Sequence, residues 1–290
     1  MSDEGSSPIL VLEGPVRHVV ALLDLWSVHH HEEVVPELLR ALTAEIERDG
    51  YLKHPIIVDA ASRVVLDGTH RVEALKALGC RWVAACLVDY HDPHIALGCW
   101  YRTFRGASGL EPLVKHLRRE AGLEVAFCRE VRPEEVGRPP IALALTDGRR
   151  YARVLADFKD KWGAWALVKA VERALTSLGL EIGFQVEGDA FEELSRGRAN
   201  VVLMTPRLAK DDVVRVALSG RVFPYKATRH VVPARPLFLN VPLSILRADR
   251  PLRELEAEVR CSLATRRLRR CPPGMVIEGR RYEEEVFIFE

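Results

Sequence analysis

The sequence predicts a mixed α/β (α+β) protein with two domains. Its 290 residues, 48% of them hydrophobic, are enough to bury two cores. The first hundred residues alternate in the order β-α-β-β-α-β, and a second alternation of helices and strands follows a connector punctuated by Pro133, Pro139 and Pro140. We therefore expect an N-terminal domain over residues 1–105 and a C-terminal α/β domain over residues 106–290.

Hydrophobic spacing and turn residues define the elements of the N-terminal domain. A β-rich run over residues 16–28 leads into a polar cluster at 29–33. Pro36 suits the first position of a helix, and apolar residues then recur at helical spacing until Asp49-Gly50. The remaining predicted elements are strands at 55–59 and 63–66, a helix that ends at Gly79, and strands at 82–89 and 95–104.

The C-terminal domain is predicted to begin with irregular structure. Residues 106–148 contain Pro133, Pro139 and Pro140 and predict a connector with a single helix at 113–121. A proline-rich segment occupies 223–236, and the tail at 275–290 predicts a small hairpin or an edge strand. Between the connector and that segment, the predicted elements are helices at 162–178, 190–196 and 208–219 and strands at 180–186 and 199–204.

The charge balance argues against nucleic acid or a membrane surface as a partner. With 42 basic and 41 acidic residues, the net charge is +1. The most basic run, residues 266–270, predicts a solvent-facing side of a helix. No apolar stretch approaches the roughly 18 residues that span a bilayer, and the polar start does not resemble a signal peptide. We therefore expect a cytoplasmic protein that is a monomer or a small homo-oligomer.

The cysteines carry no metal signature. The six cysteines form no C-x-x-C pair, which argues against structural zinc and favours free buried thiols. High charge and only three side-chain amides indicate a thermophilic source, whose cytosol tolerates disulfides. The sequence therefore leaves open whether Cys261 and Cys271 form a disulfide.

The run Asp67-Gly68-Thr69-His70-Arg71, here called the phosphate turn, is the most informative motif. A short β-branched strand ends at Asp67-Gly68, and a helix begins at once. Free N–H groups at a helix start favour an anion, Gly68 allows close approach, Arg71 can bind phosphate oxygens and Asp67 can bind a metal. A plain turn with a helix cap remains the alternative.

Two further positions could carry chemistry, each with a structural alternative. Glu32 or Glu33 could stabilise a helix start through the helix dipole, or could act as a general base. Trp100 could be an ordinary core aromatic residue or a contact for a ligand. The neighbouring run His29-His30-His31 lacks the spacing of a metal site.

A proline-bounded loop in the second half offers four groups that bind anions. Lys226, Thr228, Arg229 and His230, here called the cationic loop, follow neither a helical nor a strand period, so they have little to contribute to a core. An ammonium, a hydroxyl, a guanidinium and an imidazole together suit a carboxylate or a phosphate. The Walker phosphate loop and the protein-kinase motifs are both absent from the sequence.

These motifs together resemble a known family. The first hundred residues resemble the ParB/sulfiredoxin-like fold, whose signature is a strand, an Asp-Gly-x-His-Arg turn and a helix. Within that fold, the chain is similar to the free L-serine kinases (SerK) of hyperthermophilic archaea and to a bacterial relative from a siderophore pathway. The similarity rests on four segments, namely His31-Glu32 with Pro36, residues 53–58, residues 67–80 and residues 223–236.

The resemblance implies an L-serine kinase that transfers a phosphoryl group from ATP or ADP, with Mg²⁺, to free L-serine. The product would be O-phospho-L-serine, used in cysteine or serine metabolism, and the active site would lie in a cleft between the two domains. Glu32 would be the general base. The nucleotide phosphates and their Mg²⁺ would be held by Asp67, Gly68, Thr69, His70 and Arg71. The serine or the transferred phosphoryl group would be bound by Leu38, Trp100, Lys226, Thr228, Arg229 and His230. The adenine contacts stay unassigned.

Two other functions share this fold. A ParB-like nucleotide-dependent DNA-binding or regulatory protein would need a basic helix-turn-helix, and the sequence offers no such patch. A sulfiredoxin-like reductase would need a reactive cysteine beside the phosphate turn. The nearest in sequence, Cys80, follows the helix of the motif and is expected to be buried.

Overall fold

The computed structural model describes residues 8–290, which divide into two compact units. Unit 1 contains the chain up to residue 96 together with residues 217–222 and 230–290, and unit 2 contains residues 97–216 and 223–229. This division differs from the predicted boundary after residue 105, because the last sixty residues pack with the N-terminal ones. For example, the backbone N–H of Leu22 donates to the buried carboxylate of Glu256, and Nε2 of His18 lies 2.6 Å from the carbonyl oxygen of Pro233.

The described residues form eight α-helices and twenty strands. The helices are α1 (Pro36–Asp49), α2 (Thr69–Ala77), α3 (Leu110–Glu120), α4 (Lys161–Thr176), α5 (Glu187–Ser195), α6 (Lys210–Leu218), α7 (Leu243–Leu246) and α8 (Leu252–Ala264). The first ten strands are β1 (Leu10–Leu12), β2 (His18–Asp24), β3 (Tyr51–Leu52), β4 (Ile56–Asp59), β5 (Val65–Asp67), β6 (Trp82–Val88), β7 (Ala96–Gly98), β8 (Trp100–Arg105), β9 (Glu124–Cys128) and β10 (Ile141–Thr146). The others are β11 (Tyr151–Leu155), β12 (Glu181–Val186), β13 (Val201–Met204), β14 (Arg229–Val231), β15 (Arg235–Leu237), β16 (Val241–Pro242), β17 (Leu268–Cys271), β18 (Val276–Ile277), β19 (Arg280–Arg281) and β20 (Val286–Phe289).

Unit 1 is built on a five-stranded sheet in the order β1-β2-β6-β4-β5. Strands β4 and β6 run parallel, and the other neighbours run antiparallel. The central strand β6 is almost continuously buried, as expected for an apolar run covered on both faces. The edge strand β5 delivers Asp67 to the phosphate turn. A smaller sheet in the same unit joins β15, β20 and β17.

Unit 2 is built on a six-stranded antiparallel sheet in the order β12-β8-β13-β10-β11-β9. Residues 106–148, predicted to be a connector with one helix, contain α3 and also β9 and β10, so that prediction was wrong in part. Strand β10 is buried from Ala142 onward, and its middle consists of alanine and leucine, a composition without the alternation of polar and apolar residues that marks a strand. The mixed α/β fold class predicted from the sequence is confirmed.

Two other element predictions need correction. The single strand predicted at 95–104 is two strands, β7 and β8, separated at Cys99. The basic run at 266–270 is not a helix, because α8 ends at Ala264 and residues from Leu268 pair with β20 as strand β17. Both Cys261 and Cys271 are free thiols, the first exposed and the second buried. None of the helices among residues 8–290 is long and apolar enough to cross a membrane.

Candidate functional site

The phosphate turn has the backbone that its sequence predicts. Gly68 adopts a φ of +110° and Thr69 begins α2, so the first N–H groups of a nine-residue helix follow directly after β5. A Cβ on Gly68 would lie 2.6 Å from Cγ2 of Ile56 and 3.0 Å from the guanidinium of Arg71. Glycine is therefore required both by the left-handed backbone and by the close approach of these neighbours.

Asp67 lies at the centre of a cluster of three arginines. Its Oδ1 accepts from Arg71 at 3.1 Å, and its Oδ2 accepts from Arg235 at 2.5 Å and from Arg280 at 3.2 Å. Burial by itself would raise the pKa of Asp67, but the three guanidiniums hold it well below its usual value. The cluster therefore carries more positive than negative charge, as a phosphate site requires.

The prediction that Asp67 takes part in binding Mg²⁺, mainly through the nucleotide phosphates, stays a prediction. Both carboxylate oxygens of Asp67 are engaged by guanidinium groups. Among residues 8–290, no three His, Cys, Asp or Glu side chains converge as metal ligands. A metal at this turn would therefore take most of its ligands from the phosphates.

The Glu32 side chain is largely buried between two histidines. Its Oε1 lies 3.7 Å from Nε2 of His31, and its charge also acts on His70. Burial lowers the pKa of both histidines below the usual value, so both imidazoles are neutral at pH 7. Neither histidine therefore brings a positive charge to the Glu32 carboxylate.

The same histidines tie the Glu32 segment to the phosphate turn. His31 donates from Nδ1 to the carbonyl oxygen of Val65 in β5 at 2.7 Å. The Nε2 atom of His70, in the first turn of α2, accepts from the backbone N–H of Val35 at 3.0 Å. The predicted base and the predicted phosphate site are therefore fixed to one another within unit 1.

His230 is placed apart from the other members of the cationic loop. It is buried in unit 1, with Nε2 2.7 Å from the Tyr90 hydroxyl, a hydrogen bond to the backbone of Leu66, and its ring 5.4 Å from that of His31. Burial, together with nearby positive charge, lowers its pKa well below the usual value. A neutral, enclosed imidazole with these partners supports the phosphate-turn strand. Its predicted contact with serine stays a prediction.

The rest of the cationic loop lies in unit 2 around Trp100. The Lys226 ammonium sits 4.0 Å from the centre of a Trp100 ring, and the Arg229 guanidinium sits 5.5 Å from it. Nε1 of Trp100 donates to the carbonyl oxygen of Thr228 at 2.9 Å. The structure thus brings four of the predicted substrate-binding residues together in one cluster. Of the other two, His230 lies in unit 1 and Leu38 is 45% exposed on the first turn of α1.

Arg102 holds the cationic loop in place, although no sequence motif marks it as a functional residue. Its guanidinium is fully buried and donates to the carbonyl oxygens of Trp100, Tyr225 and Lys226. It also pairs with Glu172 at 2.5 Å. One buried cation therefore binds two carbonyl groups at the start of the cationic loop and one of β8, which ties the loop to that strand.

Sequence reasoning also missed Arg235 and Arg280. Arg235 lies in the segment 223–236 that carries the family resemblance. The sequence therefore singles out the segment but not the role of this side chain. Arg280 lies in a short C-terminal hairpin whose sequence has no motif. Only the folded chain shows that both side chains reach Asp67.

Comparisons with known proteins identify relatives of this chain. No family model matches the chain. An ATP-dependent L-serine kinase of Staphylothermus marinus is 28% identical over 80% of this chain and 94% of its own length. The ADP-dependent L-serine kinase SerK of Thermococcus kodakarensis is 27% identical over 77% of this chain and 91% of its own length.

Among solved structures, a free serine kinase in complex with AMP superimposes with a TM-score of 0.65 at 24% identity. The match covers 84% of this chain and 97% of that one. At this level of identity, the superposition establishes a shared fold. The resemblance predicted from the sequence is confirmed: over about four fifths of its length, this chain is similar to the L-serine kinases and has the fold of the free serine kinase.

Proposed function

We propose that this protein transfers a phosphoryl group from ATP or ADP to the hydroxyl group of free L-serine, with Glu32 as the general base. The supporting observation is the linkage of Glu32 to the phosphate turn. The largely buried Glu32 carboxylate lies between the neutral His31 and His70. His31 donates to the carbonyl oxygen of Val65 in β5, and His70, in the first turn of α2, accepts from the backbone N–H of Val35. Base and phosphate site then move as one rigid element, which positions an acceptor hydroxyl for in-line attack.

Each residue has a defined task in this proposal. Glu32 accepts the hydroxyl proton of serine as the new bond to phosphorus forms. The N–H groups at the start of α2, with Arg71 and Arg280, neutralise the charge on the phosphoryl oxygens. Asp67 holds these arginines in place. Any Mg²⁺ would be carried in by the nucleotide phosphates, since Asp67 is already engaged by three arginines.

The cluster around Trp100 supports a role in binding serine. Lys226 and Arg229 both approach the face of Trp100, and the amino acid carries a carboxylate that a guanidinium binds with two parallel hydrogen bonds. Replacing Arg229 with alanine should therefore raise the KM for serine about tenfold or more, with little change in the KM for the nucleotide. An unchanged KM for serine would remove Arg229 from the substrate site.

A direct test incubates the purified chain with L-serine and either ATP or ADP and follows the products by ³¹P NMR. The proposal predicts a phosphomonoester that co-migrates with O-phospho-L-serine. It also predicts slower reaction with L-threonine, because the extra methyl group must fit beside the attacking hydroxyl. Nucleotide hydrolysis without any phosphoserine would contradict the proposal. A parallel gel-shift assay with duplex DNA tests the ParB-like alternative.

A further inference from the structure

The His31 side chain is enclosed beside the Glu32 carboxylate and presents one ring nitrogen to it. Its Nδ1 lies 2.7 Å from the carbonyl oxygen of Val65, and its Nε2 lies 3.7 Å from Oε1 of Glu32. Only 2% of the His31 surface is exposed. The ring of His230, itself 2.7 Å from the Tyr90 hydroxyl, packs edge-on against the His31 ring with the centres 5.4 Å apart. The His31 imidazole therefore has little freedom to turn away from Glu32.

The bond to Val65 fixes which nitrogen of His31 carries the proton. A carbonyl oxygen can only accept, so Nδ1 is the N–H donor. Burial lowers the pKa of His31 below its usual value, although the nearby Glu32 and Asp67 carboxylates act in the other direction. A neutral imidazole with its proton on Nδ1 has a lone pair on Nε2. The nitrogen that faces Glu32 is therefore a hydrogen-bond acceptor.

The separation of His31 and Glu32 agrees with this tautomer. At 3.7 Å, the distance between Nε2 and Oε1 exceeds that of a hydrogen bond, which is about 2.7–3.2 Å between nitrogen and oxygen. An imidazolium, or a tautomer with its proton on Nε2, would donate to the carboxylate and draw it closer. Two acceptors that face one another stay apart. A hydrogen bond between them can form only after one of the two gains a proton.

The other histidine beside Glu32 has its acceptor nitrogen engaged elsewhere. Nε2 of His70 accepts from the backbone N–H of Val35 at 3.0 Å, so the proton of its neutral ring is on Nδ1. Of the two histidines, His31 is therefore the one with an acceptor nitrogen directed at the carboxylate.

We propose that His31 is the hydrogen-bond acceptor for the protonated form of Glu32 and is thereby a positioning residue for proton transfer. The inference rests on the proposed function, in which Glu32 takes the hydroxyl proton of serine. As the serine O–H bond breaks and its oxygen displaces the nucleotide from phosphorus, the proton passes to Glu32. The resulting carboxylic acid donates to the Nε2 lone pair of His31. Solvent takes up the proton after the product leaves, since 14% of the Glu32 side chain is exposed.

This hydrogen bond acts on the rate of reaction and not on substrate binding. It is absent while Glu32 is a carboxylate and forms as the proton arrives, so it stabilises the transition state more than the bound substrates. Loss of such an interaction lowers kcat and kcat/KM equally and leaves KM unchanged. If His31 only supported the fold, its bond to Val65 would be the important one.

Two substitutions separate the two contacts of His31. The amide of His31→Asn can still donate to Val65 from the place of Nδ1 but offers no acceptor at Nε2, whereas His31→Gln places an amide oxygen near Nε2 and gives up the donor to Val65. We expect kcat for serine to fall about tenfold in His31→Asn and roughly threefold or less in His31→Gln, with KM for both substrates unchanged. His30→Asn is the matched control, since His30 pairs with Glu73 and should be replaceable without loss of kcat.

The order of the two variants decides the inference. Thermal unfolding checks that each variant is folded. A purely structural role predicts the opposite order, because His31→Asn keeps the bond to Val65 and His31→Gln loses it. Equal losses, the opposite order, or a wild-type kcat in His31→Asn would overturn the inference and leave the kinase activity in place. Wild-type protein that makes no phosphoserine would overturn the proposed function and this inference with it.

A second measurement does not depend on turnover. In ¹⁵N NMR of histidine-labelled wild-type protein, the His31 signals are assigned by their loss in a His31 variant. We expect them to show a proton on Nδ1 and none on Nε2 at pH 7. An imidazolium, or a tautomer with its proton on Nε2, would overturn the inference even in an active kinase.

Discussion

The Glu32 carboxylate could have a structural or a catalytic role. Its position beside the neutral His31 and His70 favours the catalytic role over an ion pair. We expect Glu32→Gln to lower the turnover number for serine by about 10²–10⁴-fold, with ADP affinity and the unfolding midpoint preserved. The matched control is Glu33→Gln, which changes the adjacent carboxylate. Equal losses in both variants, or none in either, would contradict the assignment of the base to Glu32.

Single residues show where sequence reasoning succeeds and where it stops. Asp67, Gly68 and Arg71 were predictable because their spacing and the turn chemistry are local. Arg280 was not, because its partner Asp67 lies more than 200 positions earlier in the chain and no periodicity links them. His230 was grouped with the cationic loop by sequence proximity, yet burial beside Tyr90 and His31 gives it a different environment.

At the scale of an element, the start of α2 depends on a glycine that no other residue can replace without strain. Gly68→Ala would force a Cβ to 2.6 Å from Ile56 at a φ of +110°. We expect a loss of about 1–3 kcal/mol in the free energy of unfolding and weaker pyrophosphate binding. Gly50→Ala is the control, because Gly50 has a φ of +77° but nothing within 4 Å of the added atom. A loss in Gly68→Ala no larger than in Gly50→Ala would show that the close contact is unimportant.

The cationic loop depends on a second element-scale feature, the buried Arg102. Replacing it with methionine leaves the carbonyl oxygens of Tyr225 and Lys226 without this donor and breaks the link to Trp100, so we expect the KM for serine to rise while the KM for the nucleotide stays near the wild-type value. Steady-state kinetics with each substrate varied in turn provides the measurement. The variant Arg102→Lys keeps the charge but loses the fork of donors, so it should restore little of the serine affinity. Parallel increases in both KM values would indicate general unfolding instead of loop positioning.

Element boundaries were predictable where turn residues mark them. Pro36 and Gly50 locate both ends of α1, and the left-handed Gly50 donates its N–H to Ile46 as the sequence suggests. Strand β10 was missed because its buried run of alanine and leucine resembles a helix segment in composition, and β9 was missed because it is only five residues long and mostly not buried. The packing of residues 230–290 in unit 1 could also not be predicted from the sequence, because it depends on long-range burial and not on a local pattern.

At the scale of the whole molecule, buried histidines make the stability of unit 1 depend on pH. Burial is the largest cause that lowers the pKa of six of them, and it lowers that of His54 to about 4. The other five are His18, His30, His31, His70 and His230. Because these groups are neutral when folded and protonated when unfolded below pH 6.5, the unfolded chain binds more protons as the pH falls.

We therefore expect the free energy of unfolding to decrease from pH 6.5 towards pH 4.5. Each such histidine contributes up to about 1.4 kcal/mol per pH unit until its folded pKa is reached. Carboxylates such as Asp67 add a further loss only at lower pH, where they protonate in the unfolded chain. Urea unfolding at pH 7.5, 6.0 and 5.0 gives the slope. His54→Gln should reduce it, and His94→Gln, at an exposed position, should not. A stability that is constant over this range would contradict the neutral, buried state of these histidines.

The most direct test of the whole arrangement is transfer of labelled phosphate to free serine by wild-type protein and Glu32→Gln side by side. ATP labelled in the γ-phosphate and ADP labelled in the β-phosphate are supplied in separate reactions, and O-phospho-L-serine is resolved chromatographically. A base fixed to a phosphate turn predicts labelled phosphoserine from at least one donor with the wild type and a loss of about 10²–10⁴-fold with Glu32→Gln. Absence of labelled phosphoserine from both donors, or equal labelling by the two proteins, would contradict it.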